Sequence, residues 1–265
     1  MSFERQPIRV EAKPRRPFAL RALVKTLVPL GVRRWLRGSQ FHLAHSTLPR
    51  RRVRDFGELR STSPIGKDFG RLRGTPVDRY YIESFLQAHS RHVRGAVLEV
   101  QSDTYTRRFG GADVIRSDVL DVTANDSIAT VIADLGCPDS LPKSQYDCIF
   151  CTQTLLLIYD LKAAVANLHN ALRPGGVLLL TVPGVAHKLA SEEPRGDCWR
   201  FTPQSIQRLL AEQFPPSSIH ISTYGNVLAA VAFLHGLAVE ELSVEELDQH
   251  DPEYPVTIGL CAVKP

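Results

Sequence analysis

The chain has 265 residues, 43% hydrophobic and 23% charged, ordinary proportions for a globular protein with one full core and an appendage. No run of 18 apolar residues is present, so no membrane span is expected. The net charge of +4 conceals an asymmetry: residues 1–80 hold 19 Lys and Arg against 6 Asp and Glu, while the other 185 hold 13 against 22. The basic character belongs to the amino-terminal stretch alone, too local to make nucleic acid the expected partner. Cys137, Cys148, Cys151, Cys198 and Cys261 form an odd set without a CxxC pair, and the nine histidines show no metal spacing. Reduced thiols and no metal are therefore expected.

Residues 1–72 read as a basic, partly helical extension. Residues 1–17 are polar and hold three prolines. Phe18 to Leu36 has the pattern of an amphipathic helix interrupted near Pro29, with Arg33, Arg34 and Arg37 at its end. It either makes a peripheral contact with a membrane surface or polyanion, or packs on the domain with its cations in water. Arg21 and Lys25 break the apolar stretch, which argues against a signal peptide and for a cytoplasmic location. Arg50-Arg51-Arg52-Val53-Arg54 reads as a solvated loop.

Residues 73–265 carry the pattern of an α/β domain. Thr75 is placed as an N-cap and Pro76 as the first helical residue, with Ile82, Phe85 and Leu86 turned to the core. Ala96 to Val100 reads as a strand, followed by the polar loop Gln101 to Thr106 and by Gly110-Gly111. Asp113 to Arg116, leading into Ser117-Asp118-Val119, gives a second strand, and Val131 to Leu135 a third. Cys148 to Cys151 has the length of a buried strand. Leu161, Ala164, Val165, Leu168 and Leu172 then recur three and four apart, one face of a helix. Arg173-Pro174-Gly175-Gly176 stops that helix, because Pro cannot continue it and Gly accepts a left-handed turn. Val177 to Val182 completes a strand–helix–strand unit, and its unbroken apolar run indicates a parallel strand buried on both faces. An acidic loop follows His187 and leads to Cys198-Trp199-Arg200-Phe201. Thr202-Pro203 then starts a helix that buries Ile206, Leu209, Leu210 and Phe214. Ile219 to Ser222 is a strand, Leu228, Ala232 and Leu237 mark a helix, Glu240 to Glu253 is acidic, and Pro255 to Val263 is the last strand.

The stretch Tyr146 to Gly184 resembles the fourth and fifth strands of class I S-adenosylmethionine-dependent methyltransferases, where FDxI…LRPGGxLxxxxPG is a frequent signature. A bacterial subgroup often encoded beside glycosyltransferases resembles the chain more closely. Leu98-Glu99 with Tyr105-Thr106 and Phe109-Gly110 matches its LExxxxxYTxxFG loop, Asp78 to Leu86 its DRYYIExFL helix, and Trp199 to Ser205 its WRFTPxS motif. The resemblance covers roughly residues 73–265. It implies an α/β, Rossmann-like, seven-stranded and mostly parallel sheet, with S-adenosyl-L-methionine as cofactor. Where the superfamily carries Gly-x-Gly-x-Gly after the first strand, this chain carries Gln101 to Thr106.

On this resemblance Glu99, Asp103, Asp118, Asp134 and Gln153 are the cofactor-binding candidates. A carboxylate at the end of the second strand can accept bonds from both ribose hydroxyls; Asp118 fits best, with Asp121 in reserve. Asp134 or Leu135 falls where adenine's amino group is met, and Gln153 where many relatives carry His or Asn. Asp103 stands to take the cofactor's ammonium group or neighbouring hydroxyls in place of some missing backbone contacts. Tyr81, Trp199 and Arg200 are the substrate-binding candidates, since aromatic faces stack on sugar rings and Arg suits an anion. Core packing and a hydrophobic plug are the structural alternatives for these three. His187 is the candidate base. The leading expectation is O-methylation of a sugar or other small polar acceptor, and the rival is a non-catalytic scaffold that keeps the fold.

Overall fold

The computed structural model describes residues 57–124, 128–189 and 196–265. The expected helix over Phe18–Leu36, the Arg50–Arg54 run and the acidic Glu192 and Glu193 lie outside the described residues. Contacts divide the chain after Gly57, and the unit Glu58–Pro265 holds the sheet.

Seven strands form one sheet: β1 (Gly95–Val100), β2 (Val114–Asp121), β3 (Val131–Ile132), β4 (Tyr146–Thr152), β5 (Leu172–Pro183), β6 (Ile219–Tyr224) and β7 (Thr257–Val263). Their order is β3-β2-β1-β4-β5-β7-β6. The first five are parallel, and β7 runs antiparallel between β5 and β6. The helices are α1 (Val77–Ala88), α2 (Thr104–Phe109), α3 (Leu161–Ala171), α4 (Pro203–Leu210), α5 (Val227–His235) and α6 (Val244–Asp248). None of the described helices is long and apolar enough to cross a membrane.

Alternation along the central strands explains their continuous apolar sequence. Leu98, Ile149, Cys151, Leu178 and Leu180 face a core completed by Ala164, Val165 and Leu168 of α3 and by Ile206 and Leu210 of α4. Val97, Cys148, Phe150, Val177 and Leu179 face the other way, onto Ile82, Phe85 and Leu86 of α1 and Tyr105 of α2. Both faces are covered, so neither set of alternate residues can be polar.

Within the Tyr146–Gly184 motif, Asp147 and the Arg173–Gly176 turn have structural roles. Asp147 accepts from the Ala96 backbone N–H at 2.8 Å and from Arg173 Nη1 at 2.9 Å, which clamps the amino ends of β1, β4 and β5. Leu172 is the first residue of β5, where it pairs with Tyr146. The register then shifts before Cys148 pairs with Val177, and Gly175 takes φ +78°. The turn therefore sits inside the strand as a bulge.

Several boundaries differ from the sequence reading. Pro76 occupies the cap position of α1 with no side-chain cap, because Thr75 gives its N–H and hydroxyl to Glu240, each at 2.8 Å. Leu237 lies past α5, which ends at Gly236 in the left-handed region. The segment 58–72, grouped with the basic extension by its charge, belongs to the sheet unit. Gly66 N–H donates to His235 O at 2.8 Å, and the Phe69 ring packs on those of His187 and Phe233, with centroids 3.8 and 5.5 Å away. Net charge carries no information about such an apolar anchor.

Candidate active site

A cleft opens at the carboxyl ends of β1, β2 and β4, where open α/β sheets bind their ligands. It has one lobe of about 450 Å³ on the β2 side and another of about 290 Å³ toward α1, which share Val100, Gln101 and Leu157.

The floor is set by Glu99. Its side chain is 1% exposed and accepts four hydrogen bonds: from Tyr105 N–H at 3.1 Å, Thr106 N–H at 2.8 Å, Thr106 Oγ1 at 2.9 Å and Ser102 Oγ at 3.1 Å. Burial pushes its carboxyl up, and these bonds oppose that rise. Glu99 thus ties the first turn of α2 to the end of β1 and lines neither lobe, whereas the sequence reading set it among the cofactor contacts. Asp103 is also displaced from its expected role: its carboxylate pairs with Arg107 one turn along α2, outside the cleft. The residues of this loop that do line the cleft are Gln101 and Ser102. Gln101 holds φ +71°, a left-handed conformation that costs a non-glycine residue about 1–3 kcal/mol.

On the β2 side the two carboxylate candidates take different places. Asp118 sits in mid-strand opposite Leu98, bound to Thr130 Oγ1 at 3.1 Å, Tyr146 Oη at 3.2 Å and Arg116 Nε at 3.1 Å, all away from the cleft. Asp121, the reserve candidate, ends β2 and lines the larger lobe. The difference arises because β2 runs to Asp121, beyond the point at which the sequence pattern ends it. Asp134 also lines this lobe and accepts the Gly136 N–H at 2.8 Å, while Leu120, Leu135 and Ile158 supply apolar walls.

The smaller lobe collects Asp78, Arg79, Ser102, Gln153 and His187. Gln153 follows β4 with φ +47°, and its buried amide nitrogen has no hydrogen-bond partner among the described residues. Two strained glutamines at the ends of adjacent strands are the kind of cost found at functional sites. Burial pushes the Asp78 carboxyl up, against the pull of Arg79 and Arg71. The His187 ring stacks on Phe69 at an interplanar angle of 15°, and burial, then the Arg200 charge, hold its imidazole below the ordinary range.

Tyr81 and Trp199 lie outside both lobes. Tyr81 is a core residue, 3% exposed, whose hydroxyl donates to Leu247 O at 2.9 Å. Trp199 anchors its loop by donating to Ile158 O at 2.9 Å and stacking on Tyr159. Arg200 reaches the smaller lobe with every donor committed. Nε donates to Ala186 O, Nη1 to Asp197 Oδ1 and Trp199 O, and Nη2 to His187 O and Asp197 Oδ2. It braces the backbone of His187 and has no N–H left for an anionic acceptor. Phe69 is the lining residue that sequence reasoning missed; a lone aromatic among charged residues was its only signal.

The Arg200 hydrogen bonds hold the Asp197 carboxyl below its usual range. A depressed folded pKa contributes stability that is fully present above the unfolded value, about 4, and is lost as pH falls through the folded one. In a Trp35→Phe background, Trp199 fluorescence is expected to hold from neutral pH to about 4 and to change only below that. Asp197→Asn removes the step; a transition centred near neutral pH would assign the coupling to a histidine instead.

The lining fits S-adenosylmethionine. Asp121 can accept from ribose hydroxyls, the apolar walls of the larger lobe suit adenine, and the orphaned Gln153 amide offers a donor toward the amino-acid end. The chain is similar to a SAM dependent methyltransferase from Archaeoglobus fulgidus, at 14% identity over 70% of this chain and 94% of that one, with a TM-score of 0.47. It is similar to one from Mesorhizobium loti at 16% identity over 71% and 98%, with a TM-score of 0.43. The phosphoethanolamine N-methyltransferase 2 of Haemonchus contortus, solved with S-adenosyl-L-methionine, aligns at 15% identity over 70% and 52%, with a TM-score of 0.45. No curated protein matches the chain. The model of a methyltransferase domain matches residues 72–214, more than half of the sequence, and the chain belongs to this family of S-adenosylmethionine-dependent methyltransferases.

Proposed function

We propose that the chain methylates a hydroxyl oxygen on a sugar or other small polar, glycan-type acceptor. The observation that carries this reading is the smaller lobe, where His187 stands among Asp78, Arg79, Ser102 and Gln153. Its lowered pKa leaves the imidazole neutral at pH 7, the form a base requires. Hydrogen-bonding groups around a stacked ring suit an acceptor rich in hydroxyls.

When bound, the cofactor supplies an electrophilic methyl group. Asp121 would hold its ribose, Asp134 would meet the adenine, and Gln153 would donate to its amino-acid end. His187 takes the proton that the acceptor hydroxyl loses, and Leu156, Leu157 and Pro183 keep water from the same lobe. Orientation of the acceptor and exclusion of water account for much of the expected rate.

The reading is tested with methyl-labelled cofactor and a panel of free and nucleotide-linked sugars. Label is expected in an alkali-stable ether on a sugar; label confined to amines, thiols or carboxylates would overturn the acceptor class. Calorimetry tests the cofactor side separately. Asp121→Ala should weaken S-adenosylhomocysteine by about 1.5–3 kcal/mol, the scale of a hydrogen bond to a charged group. Asp118→Ala should leave the affinity unchanged, and the reverse pattern would restore Asp118 as the ribose ligand.

A further inference from the structure

The face of the sheet under α1 carries a second cluster unrelated to the cleft. His89 caps the carboxyl end of α1, His92 follows in a short 3-10 turn, and Cys261 lies in the middle of β7. One ligand atom from each of the three lies within 4.8 Å of one from each of the others. Cys261 is 2% exposed, and His89 Nδ1 is a buried nitrogen with no hydrogen-bond partner among the described residues. His220 stands directly opposite Cys261 in the β6–β7 register. We propose that His89, His92 and Cys261 form a site for a divalent transition ion of the zinc class, with His220 or water in the fourth position.

The chemistry of the donors selects the ion. Two imidazoles and one thiolate suit zinc, whose sites are tetrahedral and built from nitrogen and sulfur, and exclude the oxygen-seeking magnesium and calcium. Each imidazole offers one ring nitrogen to an ion, and the unpartnered Nδ1 of His89 is already free of any competing hydrogen bond among the described residues. Arg91 Nε now donates to His92 Nε2 at 3.2 Å, an exposed contact that an ion at that nitrogen would displace. Cys261 binds as thiolate, so each ion bound releases one proton to the buffer. Among the described residues, the titratable and charged groups facing the cluster are Arg91, Arg94, His220 and the buried Cys148 beside Cys261.

The position gives the ion a structural role. The first turn of α1 lines the cleft through Asp78 and Arg79, and the same helix ends at the cluster, about 18 Å away at 1.5 Å per residue. An ion there pins the far end of the helix to the antiparallel strand β7. No metal spacing shows along the chain because the third ligand arrives from the last strand, far in sequence from the two histidines.

Cobalt(II) tests the site in the full chain carrying Cys137→Ser and Cys198→Ser, which removes the two exposed thiols. Stoichiometric binding with tetrahedral visible bands and a thiolate-to-cobalt charge-transfer band is expected. Cys261→Ser abolishes the charge-transfer band, and His89→Ala or His92→Ala weakens zinc by about 10–100-fold or more. If Cys261→Ser fails to fold, the two histidine variants carry the test through zinc affinity alone. Absence of stoichiometric binding, a charge-transfer band that survives Cys261→Ser, or zinc affinity indifferent to both histidine substitutions overturns the proposal.

Discussion

His187→Ala is expected to lower kcat by about 10²–10⁴-fold, the range that a positioned general base contributes. The affinity for S-adenosylhomocysteine should stay at the wild-type value, because His187 lines the lobe that lacks Asp121 and Asp134. The pH profile separates a base from a packing residue. A folded pKa below the ordinary 6.5 means that the imidazole loses its proton as pH rises through that lower value. Wild-type kcat should therefore climb on the acid side of neutrality and level off by pH 7. The alanine variant should lose this limb altogether. Phe69→Leu, which removes the stacked ring and keeps the base, should raise KM for the acceptor more than it lowers kcat. A His187→Ala enzyme with wild-type kcat and an unchanged acid limb would place the base elsewhere.

Glu99→Ala should cost about 2–5 kcal/mol of folding stability, read as a fall in the denaturant midpoint at unchanged slope. The substitution strips the acceptor from the Tyr105 and Thr106 N–H groups and from two hydroxyls, in a place that water cannot reach. Glu99→Gln keeps the shape but turns an NH₂ group toward donors, so it should recover only part of the loss. By contrast, Asp103→Ala removes an exposed pair with Arg107 and should leave stability within about 0.5 kcal/mol. If Asp103→Ala proved the more damaging of the two, the loop would be held from its outer side.

The architecture was legible because its signals are local. Continuous apolar runs, the Arg173–Gly176 turn and the Thr202-Pro203 start each declare themselves within a few residues. Thr202 indeed accepts from Ser205 N–H at 3.1 Å as an N-cap. The site was only partly legible. His187, Gln153 and Asp134 were placed at strand ends, and they line the cleft. Asp118 and Asp121 lie three residues apart, and the choice between them depends on where β2 stops, which pairing with β1 decides. Arg200 and Trp199 have the right chemistry for an acceptor, but their donors are spent on carbonyls and a carboxylate that only the folded loop brings near. Composition cannot show whether a polar group is already satisfied.

The knot around Glu99 has a kinetic consequence. A superfamily loop rich in glycine has many conformations to give up when its ligand arrives. Here the corresponding turn is already bonded to its own strand and held left-handed at Gln101, so ordering entropy is lost on folding and not on binding. Cofactor capture should then proceed in a single phase whose rate grows linearly with concentration, without the plateau that a slow closing step imposes. Differences in affinity among cofactor analogues should show up almost wholly in how fast they leave.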